Sequence, residues 1–133
     1  MYFLDTNSCI YLLKNAYPAL TAKVLATEHQ TIKIASIVYA ELLGGARESS
    51  APEKSLVAVK KFVSQFEIVP FGEDAAESYG RIRSGLLEKR LKCGANDMII
   101  AATAMARGGV VVTNNEKDFG KMHGVATENW AKP

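Results

Sequence analysis

The sequence predicts an α/β domain, a central parallel sheet flanked by helices on both faces. Three observations predict it. Residues 2–4, 68–69 and 110–112 are short apolar runs, and 32–35 is apolar but for Lys33, all bounded by cap or turn residues. Stretches of helical periodicity separate these runs, so strands alternate with helices. Residues 98–106 are apolar at every position except Thr103, which marks a helix buried on all sides.

Tyr2, Phe3 and Leu4 read as a buried strand stopping at Asp5. A helix follows from Asn7 to about Asn15, with Ile10, Leu12 and Leu13 at helical spacing and Thr6 or Asn7 available as its cap. Pro18 stands at a first helical position, and Leu20, Val24 and Leu25 continue that helix. The second strand, 32–35, is closed by Ser36 as cap of a helix expected to run from Ile37 to about Ala46 and to end at Gly44–Gly45 or soon after. Pro52 opens a further helix with Leu56, Val59, Phe62, Val63 and Phe66 on one face. After the strand 68–69, Ala75, Tyr79, Ile82 and Leu86 mark a long amphipathic helix over 73–91. The buried helix 96–107 has Asn96 as its expected cap; Gly108 and Gly109 end it before the strand 110–112, and Val125 starts a short fifth strand.

At 133 residues, with 48% hydrophobic and 23% charged residues, the chain suits one domain over 1–133. No apolar stretch approaches the ~20 residues that a membrane helix needs. The start, MYFLDTN, has no basic leader before an apolar run, and Cys9 and Cys93 form neither a CxxC pair nor a disulfide framework. A reduced, cytoplasmic setting is expected.

Chemistry is carried by acids. Ligand sites in open parallel sheets lie outside the carboxyl ends of the strands, and four acids map there. Asp5 ends the first strand, Glu41 lies on the helix leaving the second, Asp97 heads the buried helix, and Asp118 follows the fourth strand. Each has a plainer reading: Asp5 as a turn residue, Asp97 as a cap, Glu41 as a surface glutamate, although it sits in an apolar stripe. Glu116, two residues before Asp118, competes for the fourth place, and Asn115 shares a face with Asp118 if the turn is helical. Such a cluster suits a hard cation, which takes oxygen ligands and activates water at a phosphate. The net charge of +2 sharpens the point: with those four acids set apart, 16 basic residues face ten acidic ones. A basic surface around an acidic hole fits a polyanion. On charge alone, however, the clusters Lys60–Lys61, Lys89–Arg90–Lys92 and Lys117–Lys121 read as solvated helix faces.

Other chemistries are excluded. No GxxxxGK[ST] occurs, position 7 is Asn where a haloacid-dehalogenase phosphatase needs a second acid, and His29 and His123 form no credible triad.

Four blocks, LDTN, YAEL around Glu41, NDMIIAATA and VVTNNEKDF, resemble the PIN-domain family in order and spacing, and GVATENW resembles the C-terminus of its VapC toxin branch. The similarity spans essentially the whole chain. It implies a PIN fold and an endoribonuclease dependent on Mg2+, with Mn2+ as a substitute, acting as toxin of a type II toxin–antitoxin pair. It implies Asp5, Glu41, Asp97 and Asp118 as catalytic and metal-binding residues, with Asn7, Thr113 and Asn115 lining the pocket. It further implies a homodimer, a VapB-type antitoxin partner whose C-terminal segment lies in a groove near the site, and a structured RNA substrate, commonly tRNA and in several relatives the initiator tRNA anticodon loop. Two alternatives stay open at this point: a PIN ribonuclease of housekeeping RNA processing, and a non-catalytic PIN binding module.

Overall fold

The computed structural model describes residues 1–133. Five strands form one wholly parallel sheet in the order β3-β2-β1-β4-β5: β1 (Tyr2–Leu4), β2 (Ile32–Ala35), β3 (Glu67–Val69), β4 (Val110–Val112) and β5 (Ala126–Glu128). Helices α1 (Thr6–Lys14) and α2 (Pro18–Ala26) join β1 to β2. Helices α3 (Ser36–Arg47) and α4 (Pro52–Val63) join β2 to β3, and α5 (Glu73–Glu88) and α6 (Ala95–Ala106) join β3 to β4. A one-turn α7 (Glu116–Phe119) precedes β5.

The first two crossovers move one way across the sheet and the third returns the other way. Because parallel crossovers are right-handed, the α5–α6 pair lies on the face opposite the earlier helices. Both faces of the strands are therefore covered. Phe3, Leu4, Ile32, Ile34, Val111 and Val112 are almost wholly buried, and so is the Ile100–Ala104 segment of α6. Thr103, the one polar residue in that segment, donates its hydroxyl to the Ile99 carbonyl at 2.8 Å, so burying it leaves nothing unsatisfied.

Helix starts differ from the sequence expectation in an instructive way. Pro18 and Pro52 open α2 and α4 as expected. The cap of α1, however, is Asp5 rather than Thr6 or Asn7: its Oδ1 accepts from the Ser8 amide at 2.9 Å. Ser36 is the first residue of α3, behind Ala35, and Asn96 lies inside α6, behind Gly94; neither supplies a side-chain cap. Helix α3 runs through Gly44 and Gly45 and ends at Arg47, one residue beyond the expected Ala46, with its face buried at Leu42 and Ala46.

Helix ends obey backbone geometry. At the end of α6, Gly108 takes φ +64°, its amide donates to Met105 and the Gly109 amide donates to Ala104. That double bond is the Schellman closure, for which glycine is suited. The same closure ends α5 at Glu88, earlier than the expected 91, but there Arg90 takes φ 57° while the Leu91 amide reaches Leu86. An L side chain in that region costs ~1–2 kcal/mol, partly offset by the entropy glycine loses on folding. Arg90→Gly is therefore expected to stabilise the fold by about 0.5–1 kcal/mol, read as a rise in the urea midpoint; an unchanged or lower midpoint would count against this account.

Candidate active site

All five strands run in one direction, so their carboxyl ends share one edge. The strand order reverses between β1 and β4, and a ligand crevice is expected at that switch point. Asp5 sits in it. Its amide donates to the Val112 carbonyl of β4 at 3.1 Å, and the Ser8 hydroxyl donates to the same carbonyl. Capping α1 and bridging two strands bury Asp5 to 4% exposure.

Three other acids converge on it from separate elements. Asp97 lies in the first turn of α6, whose N-terminus opens on this edge. Burial pushes its carboxyl above the ordinary 3.8, and the negative charges of Asp5, Glu41 and Asp118 push it further. The other three carboxylates thus all act on Asp97. Glu41, half-buried on α3, is held by two donors: the Thr6 hydroxyl on Oε1, and the Asn96 amide group on Oε2 at 3.0 Å. Asp118 accepts from Asn115 Nδ2 and Lys121 Nζ, each at 3.0 Å, and these two partners hold its carboxyl below the ordinary value.

Glu116 and Asp118 are placed differently. Glu116 turns away and accepts from Lys132 at 2.8 Å and Asn129 at 3.2 Å, which lowers its pKa, and it is absent from the charges acting on Asp97. Asp118 is present among them. Of the three accessory positions, Asn115 meets Asp118 directly, and Thr113, 1% exposed, accepts the Asn115 amide at 2.8 Å and so shapes the turn from below. Asn7 is exposed on the first turn of α1 and makes no side-chain hydrogen bond.

Sequence reasoning missed the roles of Thr6 and Asn96, both taken for caps. The available signal was adjacency: each is the immediate chain neighbour of an acid at this edge. Their loss is expected to act through Glu41. Asn96→Ala is expected to lower activity by about tenfold, the scale on which partners of metal ligands matter, while Asn96→Asp, which adds a fifth negative charge, is expected to be worse.

The acids converge without touching: no three of them form a group close enough to chelate one ion directly. Magnesium is bound through one or two carboxylates and keeps several waters, so this all-oxygen donor set suits it. Beside the acids lies positive charge. Lys121 reaches the Lys92 carbonyl at 3.4 Å, which joins the Lys89–Arg90–Lys92 cluster to Lys117 and Lys121 along one rim. Lys60 and Lys61, by contrast, close α4, whose C-terminus leads into the start of β3 and so lies at the opposite edge.

Fold and site together define the class: a doubly wound α/β domain with a carboxylate cluster at its switch point. The chain matches the family model described as PIN domain over residues 2–124, and it belongs to the PIN domain family. It is 38% identical over 129 residues, 97% of each chain, to a tRNA(fMet)-specific endonuclease VapC of Salmonella typhimurium. It is 37% identical to a ribonuclease VapC2 of Rickettsia felis, over 99% of each chain. Among solved structures it superposes on a chain of the DNA-bound VapBC complex of Salmonella typhimurium with a TM-score of 0.90, at 37% identity and 97% coverage of both.

Proposed function

We propose that the chain is a VapC-type toxin, an endoribonuclease that cleaves tRNA with the help of a divalent cation at Asp5, Glu41, Asp97 and Asp118. The observation that carries this reading is the mutual electrostatic pressure on Asp97. Four acids crowded at a ligand edge are unfavourable unless a cation offsets them. The relatives supply the reaction class: proteins named as endonucleases and ribonucleases, at 37–38% identity across nearly the whole chain.

A bound Mg2+, or Mn2+ in its place, would supply an activated water and neutralise charge on the scissile phosphate. The chain supplies the rest. Asp5 and Asp97 are the best-fixed ligands, one locked by the sheet and the α1 cap, the other by the buried α6. Glu41, steered by Thr6 and Asn96, and Asp118, steered by Asn115 and Lys121, close the set. The basic rim of Lys89, Arg90, Lys92, Lys117 and Lys121 draws a polyanion toward acids that would otherwise repel it.

The partner belongs to the same reading. A groove of about 350 Å3 runs between α1, α3 and α4, lined by Ile10, Leu13, Leu42, Ala58 and Val59, with Lys14 and Glu41 as its charged residues. Its apolar floor suits the apolar face of an amphipathic segment, the helix-in-groove mode expected of a VapB-type antitoxin. Like VapC proteins in general, the chain is proposed to act as a homodimer in the cytoplasm. No helix is long and apolar enough to cross a membrane.

The test is cleavage of purified tRNA by the antitoxin-free protein with Mg2+, with ends mapped after induced expression. Growth arrest that a cognate antitoxin relieves is expected; growth unaffected by induction would overturn the toxin role in favour of RNA maturation. Asp118→Asn is expected to cost far more activity than Glu116→Gln, and the reverse order would displace Asp118 from the site.

A further inference from the structure

The C-terminal Glu128-Asn129-Trp130 sequence has no part in the four-acid site, yet Glu128 and Asn129 are committed to the loop that carries Asp118, and Trp130 anchors them to the body of the fold. The Glu128 carbonyl accepts from the Thr113 amide at 3.0 Å. Asn129 Nδ2 donates both to Asn114 Oδ1 at 2.9 Å and to Glu116 Oε2 at 3.2 Å, while its Oδ1 accepts from the Ala131 amide and so bends the chain back. Lys132 reaches the same Glu116 oxygen at 2.8 Å. Trp130 is the anchor: it is 5% exposed, its ring lies 4.9 Å from that of Tyr2, its indole N–H donates to Glu128 at 2.9 Å, and Lys23 stands over its face at 5.7 Å.

What these contacts hold is a segment that cannot hold itself. Helix α7 is a single turn of four residues, and a single turn is far below the length at which helix formation becomes favourable. Its cap residue, Asn115, makes no side-chain bond to the backbone because its amide group is spent on Asp118. Buried Phe119 pins one end of the turn. At the other end, the Thr113 hydroxyl holds the Asn115 amide, and Asn129 and Lys132 hold the Glu116 side chain. Asp118 lies between the two pins.

We infer that residues Asn129, Trp130 and Lys132 form a strap that positions Asp118, through Glu116 and Asn114, for its part in the cation site. They are positioning residues: none of them meets the other three acids, and their effect runs through the pitch of one helical turn. An exposed lysine–glutamate pair alone contributes little. Here the same Glu116 oxygen also accepts from Asn129, and the buried indole of Trp130 anchors the segment that carries both partners. The inference rests on the nuclease reading above and deepens it.

The experiment compares the full chain with Asn129→Ala/Lys132→Ala and with Lys132→Arg, reading Mn2+ binding by titration, kcat and KM on tRNA, and thermal melting. The double variant is expected to bind Mn2+ about tenfold more weakly and to lose about the same factor in kcat, with KM within about twofold since the basic rim is untouched. Lys132→Arg keeps the pairing and is expected to restore wild-type values. A double variant that melts lower but binds Mn2+ and turns over like the parent chain would reduce the strap to a structural element and overturn the inference. So would Asp118→Asn with wild-type Mn2+ affinity, since the strap would then have no ligand to place. A parent chain that neither binds Mn2+ nor cleaves tRNA overturns the nuclease reading itself, and the inference with it.

Discussion

Replacing Asp97 by Asn is expected to abolish tRNA cleavage and, at the same time, to make the metal-free protein more stable at neutral pH. The two effects have one cause. Burial and the charges of Asp5, Glu41 and Asp118 disfavour the ionised Asp97 carboxyl, so its folded-state pKa stands above the ordinary 3.8. A raised carboxyl pKa means that the folded state holds its proton over a pH range where the unfolded chain has already lost it. Stability then falls as pH rises from the ordinary value through the raised one, and the full penalty persists above it. Asn carries no charge and escapes that penalty, while keeping a polar side chain in the first turn of α6. Its melting temperature is expected to exceed that of the parent chain at pH 7 in chelator, and the gap is expected to close as pH falls below the ordinary carboxylate range. Activity should move the other way, by more than the ~10–100-fold typical of groups that merely support a metal ligand. Asp5→Asn tests the same site with the α1 cap preserved, because Asn caps as well as Asp. Full activity in either variant, or an Asp97→Asn protein less stable than its parent in chelator at pH 7, would overturn this account.

Chelation is expected to stop cleavage completely, and Mg2+ or Mn2+ to restore it. Four carboxylates facing a phosphodiester add repulsion to a reaction that already concentrates negative charge, and Lys121, paired with Asp118 at 3.0 Å, offsets only one of them. The same cation is expected to raise the melting temperature, since a ligand that binds only the folded state stabilises it by ~2.7 kcal/mol at a hundred times its dissociation constant. For a domain of this size that is a shift of several degrees. The rise should be smaller in Asp97→Asn, because one ligand is missing and the repulsion to be relieved is lower. Cleavage that survives chelation would sink the cation mechanism while leaving the fold untouched.

How far the site was legible in the sequence differs from acid to acid. Asp5, Glu41 and Asp97 were placed by the pattern itself: a strand end, an acid in an apolar stripe and the head of a buried helix all face the carboxyl edge once the sheet is parallel. Asp118 could not be separated from Glu116 by spacing, since two residues in a one-turn helix differ in direction but not in composition. Glu116 was assigned elsewhere by Asn129 and Lys132, 13 and 16 residues away in the chain. The lysine clusters show the same limit. On charge alone all three were solvated faces; folding brings two of them, Lys89–Arg90–Lys92 and Lys117–Lys121, to one rim beside the acids, and leaves Lys60 and Lys61 at the far edge.

The sequence by itself determined the class of fold, the parallel sheet, the starts at Pro18 and Pro52 and the glycine closure after α6. These are local matters of periodicity and of backbone angles that a residue carries wherever it is put. Caps and partners were decided by the tertiary structure. Thr6 and Asn96 look like caps, but Asp5 and Gly94 take those places and both side chains turn to Glu41, 35 and 55 residues away. Gly44 and Gly45 stand in the last turn of α3, which ends at Arg47 once Ala46 is buried. A polar side chain goes to the strongest acceptor within reach, and a helix continues while its face is covered; which acceptors and which cover are at hand is settled only when the sheet has brought distant segments together.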